Sequence, residues 1–169
     1  MSFLNLVRIY HHLLLPKWRV NKYFIQSRLD SLTQKITSSE HKHLGQIKFI
    51  VESGWNLNAI LQNKSTRQRA LEWFGAERVW DTEYNTGVLI YISLADNAVE
   101  IIADRGLIKK ISQTQWDEIC TQMIPLFEQK QYIEGLELGL ENINELLIQM
   151  FPRIDGEFNN ELSDEIIVR

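Results

Sequence analysis

The chain has 169 residues, 44% of them hydrophobic and a single one cysteine, with a net charge of −4 at neutral pH. That length supports one domain with a real core but not two, and the lone Cys120 excludes a disulfide framework and any multi-cysteine metal site. The acidic balance withholds the basic field that general nucleic-acid binding needs, so no nucleic-acid partner is expected.

Residues 1–20 read as an amino-terminal arm. Leu4, Leu6, Val7, Ile9 and Leu13-Leu14-Leu15 are apolar, but Arg8, His11 and His12 interrupt them. The stretch falls short of the ~20 largely apolar residues that span a bilayer. Pro-Lys-Trp-Arg follows where a secretory signal would carry a small-residue cleavage site, so a cytoplasmic protein is expected. The arm either packs on the domain or makes peripheral membrane or partner contact through residues 3–19, with Trp18 at the boundary and Arg8, Lys17, Arg19 and Lys22 toward anionic groups.

From Asn21 to His43, Ile25, Leu29, Leu32 and Ile36 recur at steps of four, three and four, which predicts an amphipathic helix with Lys22, Arg28, Lys35 and Glu40 on its other side. Gly45 ends it. Ile47 to Val51 is a short strand with Ile47, Phe49 and Val51 on one face. Glu52 to Lys64 reads either as a turn of helix or as a tucked loop. Ser65 and Gln68 make a capping-box pattern that opens a helix from Thr66 to about Arg78.

Val88 to Leu94 is apolar or small with hardly any alternation, as in a strand covered on both faces, and is the central strand. Ala95-Asp96-Asn97-Ala98 is too short for a crossover, so Val99 to Asp104 returns beside it as a hairpin. The strand, helix and strand before the hairpin predict a right-handed crossover with parallel strands. Ser112 and Gln115 repeat the capping box ahead of Trp116, Ile119, Cys120, Met123 and Phe127. Pro125 predicts a kink or an early end near Ile124. Tyr132, Leu136, Leu140, Ile143 and Leu147 line a last helix that stops before Pro152, and Gly135 and Gly139 permit close packing of a neighbour. The acidic tail, 153–169, with Asp155-Gly156, reads as extended and partly disordered, and its Ile166-Ile167-Val168 end could add to a sheet edge or bind a partner. The sum is one α/β domain over 21–152, a three-layer α/β/α sandwich around a small mixed sheet with one βαβ crossover and one antiparallel hairpin.

An acidic cluster is the leading candidate for chemistry. Antiparallel pairing would set Asp81, Glu83 and Asn85 beside Asp104 and Arg105, and the oxygens of Asp81, Glu83 and Asp104 suit calcium or magnesium. Against that stands a plain reading in which Asp81 and Thr82 merely cap a turn and Asp104 pairs with the neighbours of Arg105. Glu100 shares a strand face with Asp104 and reads as a general acid or, more simply, as facing water or an arginine. His41 and His43 precede the first strand without a third histidine nearby and read as surface groups. Cys120 lies on an apolar stripe and reads as a packed core thiol. Trp73 and Trp116 lie on helical stripes, whereas Trp55 and Trp80 flank loops and could line a pocket, Trp80 as a wall of the acidic site. No nucleophile elbow, phosphate-binding glycine loop or zincin motif occurs.

The run W-D-T-E-Y-N-T-G-V-L-I-Y-I-S-L-A-D-N-A-V-E-I-I-A-D-R-G-L resembles the core of the TPM domain family, named in part after a thylakoid-lumen phosphatase, and in particular a compact bacterial branch without a membrane anchor. The likeness extends over roughly Asp30 to Pro152, through E-H-K-H-L-G-Q-I-K-F-I-V-E, W-D-E-I, G-L-E-L-G-L-E-N-I and the closing F-P. It implies an α/β sandwich, an acidic pocket for a divalent metal and a phosphatase label. In that picture a metal would polarise a phosphoryl oxygen, Asp104 would position or deprotonate water, and Arg105 would meet the phosphate. The alternative is a non-catalytic, metal-stabilised binding or assembly module whose termini recruit a protein partner.

Overall fold

The computed structural model describes residues 3–14, 20, 22–154 and 159–169. The elements run α1 (Phe3–Leu14), α2 (Gln26–Glu40), β1 (Gln46–Glu52), α3 (Leu57–Leu61), α4 (Thr66–Ala76), β2 (Gly87–Ser93), β3 (Ala98–Ala103), α5 (Gln113–Glu128), α6 (Tyr132–Met150) and β4 (Ile167–Val168). Lys17, Trp18 and Arg19 of the surface-binding expectation, and Asp155-Gly156 of the tail, lie outside the described residues.

Four strands form a mixed sheet in the order β3-β2-β1-β4. β1 and β2 run parallel with Phe49 opposite Ile90, and β2 and β3 run antiparallel with Ile90 opposite Ile101. All seven residues of β2 are buried, as the absence of alternation required. One sheet face presents Ile47, Phe49, Val51, Val88, Ile90 and Ile101 to the apolar stripes of α2, α5 and α6. The other presents Ile50, Leu89, Tyr91 and Ile102 to Ala70, Trp73 and Phe74 of α4. Fully burying each large aliphatic side chain contributes roughly 1.5–3 kcal/mol, so these two layers hold the sandwich.

Both capping boxes are made, by Ser65 with Gln68 and by Ser112 with Gln115. Gly135 and Gly139 sit where a Cβ would run into the ring of Phe127 and the thioether of Met123, which is why α5 and α6 approach so closely. Glu52 to Lys64 contains one short helix, α3, with Asn56 as its N-cap.

Several local expectations are corrected. The first long helix begins at Gln26 and not at Asn21, because Ile25 has extended backbone and lies exposed, while Val20 and Phe24 take the buried places before it. Pro125 does not end α5, which continues to Glu128: one lost backbone bond is outweighed by the burial of Met123 and Phe127 on either side. Trp55 is buried; it packs with Ala59, Ile60 and Ile9, and its Nε1 donates to the Tyr91 hydroxyl at 2.8 Å. α1 docks here as well. Arg8 and His12 both bond Asp96 in the β2–β3 turn, and the His12 Nδ1 accepts the Trp55 N–H. No helix among the described residues is long and apolar enough to cross a membrane.

Candidate functional site

Two loops meet at the end of the hairpin, one running from Glu77 to Thr86 and the other from Asp104 to Lys110. The first is tightly wound. Arg78 and Asn85 have left-handed backbone, with φ of 52° and 54°, and Thr82 holds Asn85 and Thr86 through its carbonyl and hydroxyl oxygens. At Gly87 a Cβ would lie 1.8 Å from the Val79 carbonyl oxygen, so only glycine lets β2 leave the loop at this angle. The second loop is pinned to the first. The Gly106 N–H donates to the Asn85 carbonyl oxygen at 2.9 Å, and Arg105 Nε donates to Asn85 Oδ1 at 2.7 Å.

Antiparallel pairing therefore does bring Asn85 to Arg105, but the carboxylates do not converge. Asp104 is 8% exposed; its Oδ1 accepts the N–H of Arg105 at 2.7 Å, and its Oδ2 is buried without a partner among the described residues. Glu83 is exposed, and its backbone N–H is taken by the carboxylate of Glu161 at 2.7 Å. Asp81 is exposed and lines a separate cavity of about 270 Å³ with Lys48, Arg78 and Glu161. Among the described residues no three His, Cys, Asp or Glu side chains are grouped to hold a metal ion. Asp81, Glu83 and Asp104 thus stand in separate settings, and the side-chain oxygen of Asn85 accepts from Arg105.

The remaining candidates fall into structural roles. Glu100 accepts from the Thr66 hydroxyl at 2.5 Å and faces Arg67, the plain reading of that residue. Burial pushes the Cys120 thiol up to about 12, with Glu100 adding repulsion, so it is a core group and a poor nucleophile. Trp80 is 50% exposed at the rim.

His43 is the clearest miss. It is fully buried, its Nε2 lies 3.0 Å from Asn144 Oδ1, and burial holds its imidazole below the ordinary range. Glu40, expected on the outer side of α2, is fully buried too. One oxygen accepts the Ile47 N–H at 2.6 Å and the other has no partner among the described residues. Burial raises its carboxyl to about 8; Asp164 adds to this, while the Ile47 bond and Arg153 oppose it. Helical periodicity could have found Glu40, which follows Ile36 by four residues and ends the buried stripe of α2; its charge argued for the outer side. His43 lies past the helix end, where the chain turns inward to begin β1.

A mixed four-stranded sheet sandwiched by helices, with a glycine-locked hairpin end, defines a small α/β domain. The chain belongs to the TPM domain family, whose profile matches residues 21–146. The fold is also that of the BA42 protein from the psychrophilic bacterium Bizionia argentinensis, solved by NMR. That protein is 23% identical with a TM-score of 0.72, over 85% of this chain and 93% of that one. Comparison with curated proteins gives no match.

Proposed function

We propose that this TPM domain is a non-catalytic binding module that acts through a protein partner at the hairpin end. The observation that carries this reading is how the hydrolytic candidates are used: Asp104 bonds its neighbour's N–H and Arg105 clamps Asn85, so both build the loops. The same two loops expose Trp80, Tyr84 and Ile108 by 50%, 51% and 60% beside the carboxylates of Asp81 and Glu83. Exposed aromatic faces among carboxylates suit a partner surface carrying Lys or Arg. A generic aryl phosphate assayed with calcium or magnesium should turn over no faster than in buffer. Metal-dependent turnover that disappears in Asp104→Asn would overturn this reading in favour of a phosphatase.

One atom supports a second reading. Asp104 Oδ2 is an unpartnered buried acceptor, and a calcium or magnesium ion drawn to it, with Asp81 and Glu83 rearranged toward it, would stabilise the folded domain by mass action. At a hundred times the dissociation constant that is about 2.7 kcal/mol. Millimolar-scale calcium or magnesium should then raise the melting temperature of the native chain and do so less for Asp104→Asn. An equal response in both rules out the hairpin end as the metal site.

A further inference from the structure

α1 docks on the domain by its polar side. Arg8 Nε donates to Asp96 Oδ1 at 2.8 Å and its Nη1 to the Lys64 carbonyl oxygen at 2.9 Å, with the guanidinium 4.6 Å from the centre of the Trp55 ring. His12 is buried between Asp96 and the Trp55 N–H. The backbone comes close as well: a Cβ on Gly54 would lie 2.6 Å from the His12 carbonyl oxygen. α1 is therefore seated at the end of the sheet where β1 and β2 finish. Arg8, expected to face anionic groups outside, is held by Asp96 instead.

The apolar residues take the other side of the helix. Phe3, Val7, Tyr10 and Leu14 recur at steps of four, three and four, a stripe that lies opposite the edge shared by Arg8 and His12. Val7 and Tyr10 are exposed, by 39% and 61%. A helix of 12 residues is marginal by itself in water. The polar latch thus presents the apolar stripe already formed.

Charge points to what the stripe meets. Residues 1–29 hold five of the chain's 18 lysines and arginines, Arg8, Lys17, Arg19, Lys22 and Arg28, and none of its 22 acidic residues. Lys22, Tyr23, Ile25 and Arg28 are exposed. Ile25 lines a cavity with Arg169, whose carbonyl oxygen accepts from Ser53 just after β1, so this segment reaches the same end of the sheet as α1. Asp30, Glu77 and Glu165 line that cavity too, so the basic field stops there. The carboxylates nearest α1 are already paired: Asp96 with Arg8 and His12, Glu52 with Arg69, and Glu72 with Lys64 and Arg69. Lysine is depleted at protein interfaces, and a nucleic-acid backbone would use the cations but leave the aliphatic stripe in water. An apolar helix face with tyrosine on it, in a basic field, matches the interface of an anionic bilayer.

We propose that α1, docked as it is, lies on an anionic membrane surface, with Val7 and Tyr10 in the boundary between headgroups and acyl chains and Lys22 and Arg28 toward lipid phosphates. This surface is at the opposite end of the sheet from the loop at 77–86, so it neither uses nor rests on the hairpin-end reading. The full chain should sediment with phosphatidylcholine vesicles that contain phosphatidylserine, stay in solution with phosphatidylcholine alone, and be released as salt is raised. Val7→Gln with Tyr10→Gln should weaken vesicle binding at least about tenfold. Lys22→Gln with Arg28→Gln should weaken it about twenty- to thirtyfold, since each cation at such a surface contributes about fivefold.

A native chain that ignores the anionic vesicles, or sediments equally with the neutral ones, overturns the proposal. So does either double variant, folded by circular dichroism, that binds as the native chain does. If the native chain ignores both vesicles but dimerises by light scattering, and the Val7/Tyr10 variant does not, the stripe belongs to a protein contact and the proposal fails. Should the Val7/Tyr10 variant not fold, the Lys22/Arg28 variant decides: weakened binding supports the membrane surface, and unchanged binding overturns it.

Discussion

Glu40 gives the domain a pH dependence that can be worked out from its surroundings. In the unfolded chain its carboxyl titrates near 4.5, and in the fold burial raises it to about 8. A group raised on folding stabilises the fold fully below its unfolded value, and that contribution is lost as pH climbs through the folded value. At ~1.4 kcal/mol per pH unit, the interval is worth about 5 kcal/mol in all, of which about 4 kcal/mol is lost between about pH 5 and about pH 9. Glu40→Gln cannot ionise, and its carbonyl oxygen can still accept the Ile47 N–H. Urea unfolding of both proteins at the two pH values is the assay. The variant should match the native chain at the acidic end and exceed its stability by about 4 kcal/mol at the alkaline end. His43 works in the opposite sense, since burial lowers its value and its contribution is lost as pH falls; the difference between the two proteins cancels it. A native chain no less stable than Glu40→Gln near pH 9 would refute the reasoning.

Gly139→Ala would place its Cβ 2.6 Å from Met123 Sδ and Cε and should cost about 1–3 kcal/mol in thermal unfolding. Gly75→Ala, with nothing within 4 Å, should be neutral or stabilise by about 0.5–1 kcal/mol. Asp96 resists ionisation through burial, but bonds from His12, Arg8 and Ser93 hold its carboxyl well below the usual range, so this latch on α1 persists at neutral pH and is lost only in strong acid. Asp96→Ala should cost about 2 kcal/mol, a roughly thirtyfold faster amide exchange within Phe3–Leu14 by mass spectrometry. Cys120 should resist a thiol reagent in the folded chain and react on unfolding; fast labelling without unfolding would contradict its burial.

The sheet was legible because its signals are local and redundant. An unalternating run from Val88, a four-residue connection and a following run of strand formers admit almost no arrangement except a buried strand and its hairpin partner. The two capping boxes likewise specify helix starts through side chains three residues apart. Glycine spacing gave the α5–α6 approach for the same reason. The hairpin end was legible only as a neighbourhood. Pairing puts Asn85 against Arg105, yet whether carboxylates converge depends on loop torsions. Here the left-handed turns at Arg78 and Asn85, with Glu161 arriving from the tail, leave Asp81, Glu83 and Asp104 in separate settings.

β1 shows why the rest was not legible. Ile47, Phe49 and Val51 mark one face as core, and the alternate set, Gln46, Lys48, Ile50 and Glu52, carries the polarity that ordinarily faces water. All four are buried, because each polar group meets a partner more than a dozen residues away. Gln46 and Lys48 bond the tail backbone, while Glu52 takes Arg69 through both oxygens and the Tyr91 hydroxyl at 2.7 Å. Alternation reports the polarity of a face and not its exposure. A strand with lysine and glutamate on one side can still be central when another segment supplies the counter-groups. Such a face is dear to bury with the wrong occupant and stable with the right one, so the polar side of β1 is where the chain specifies which strand may lie beside it.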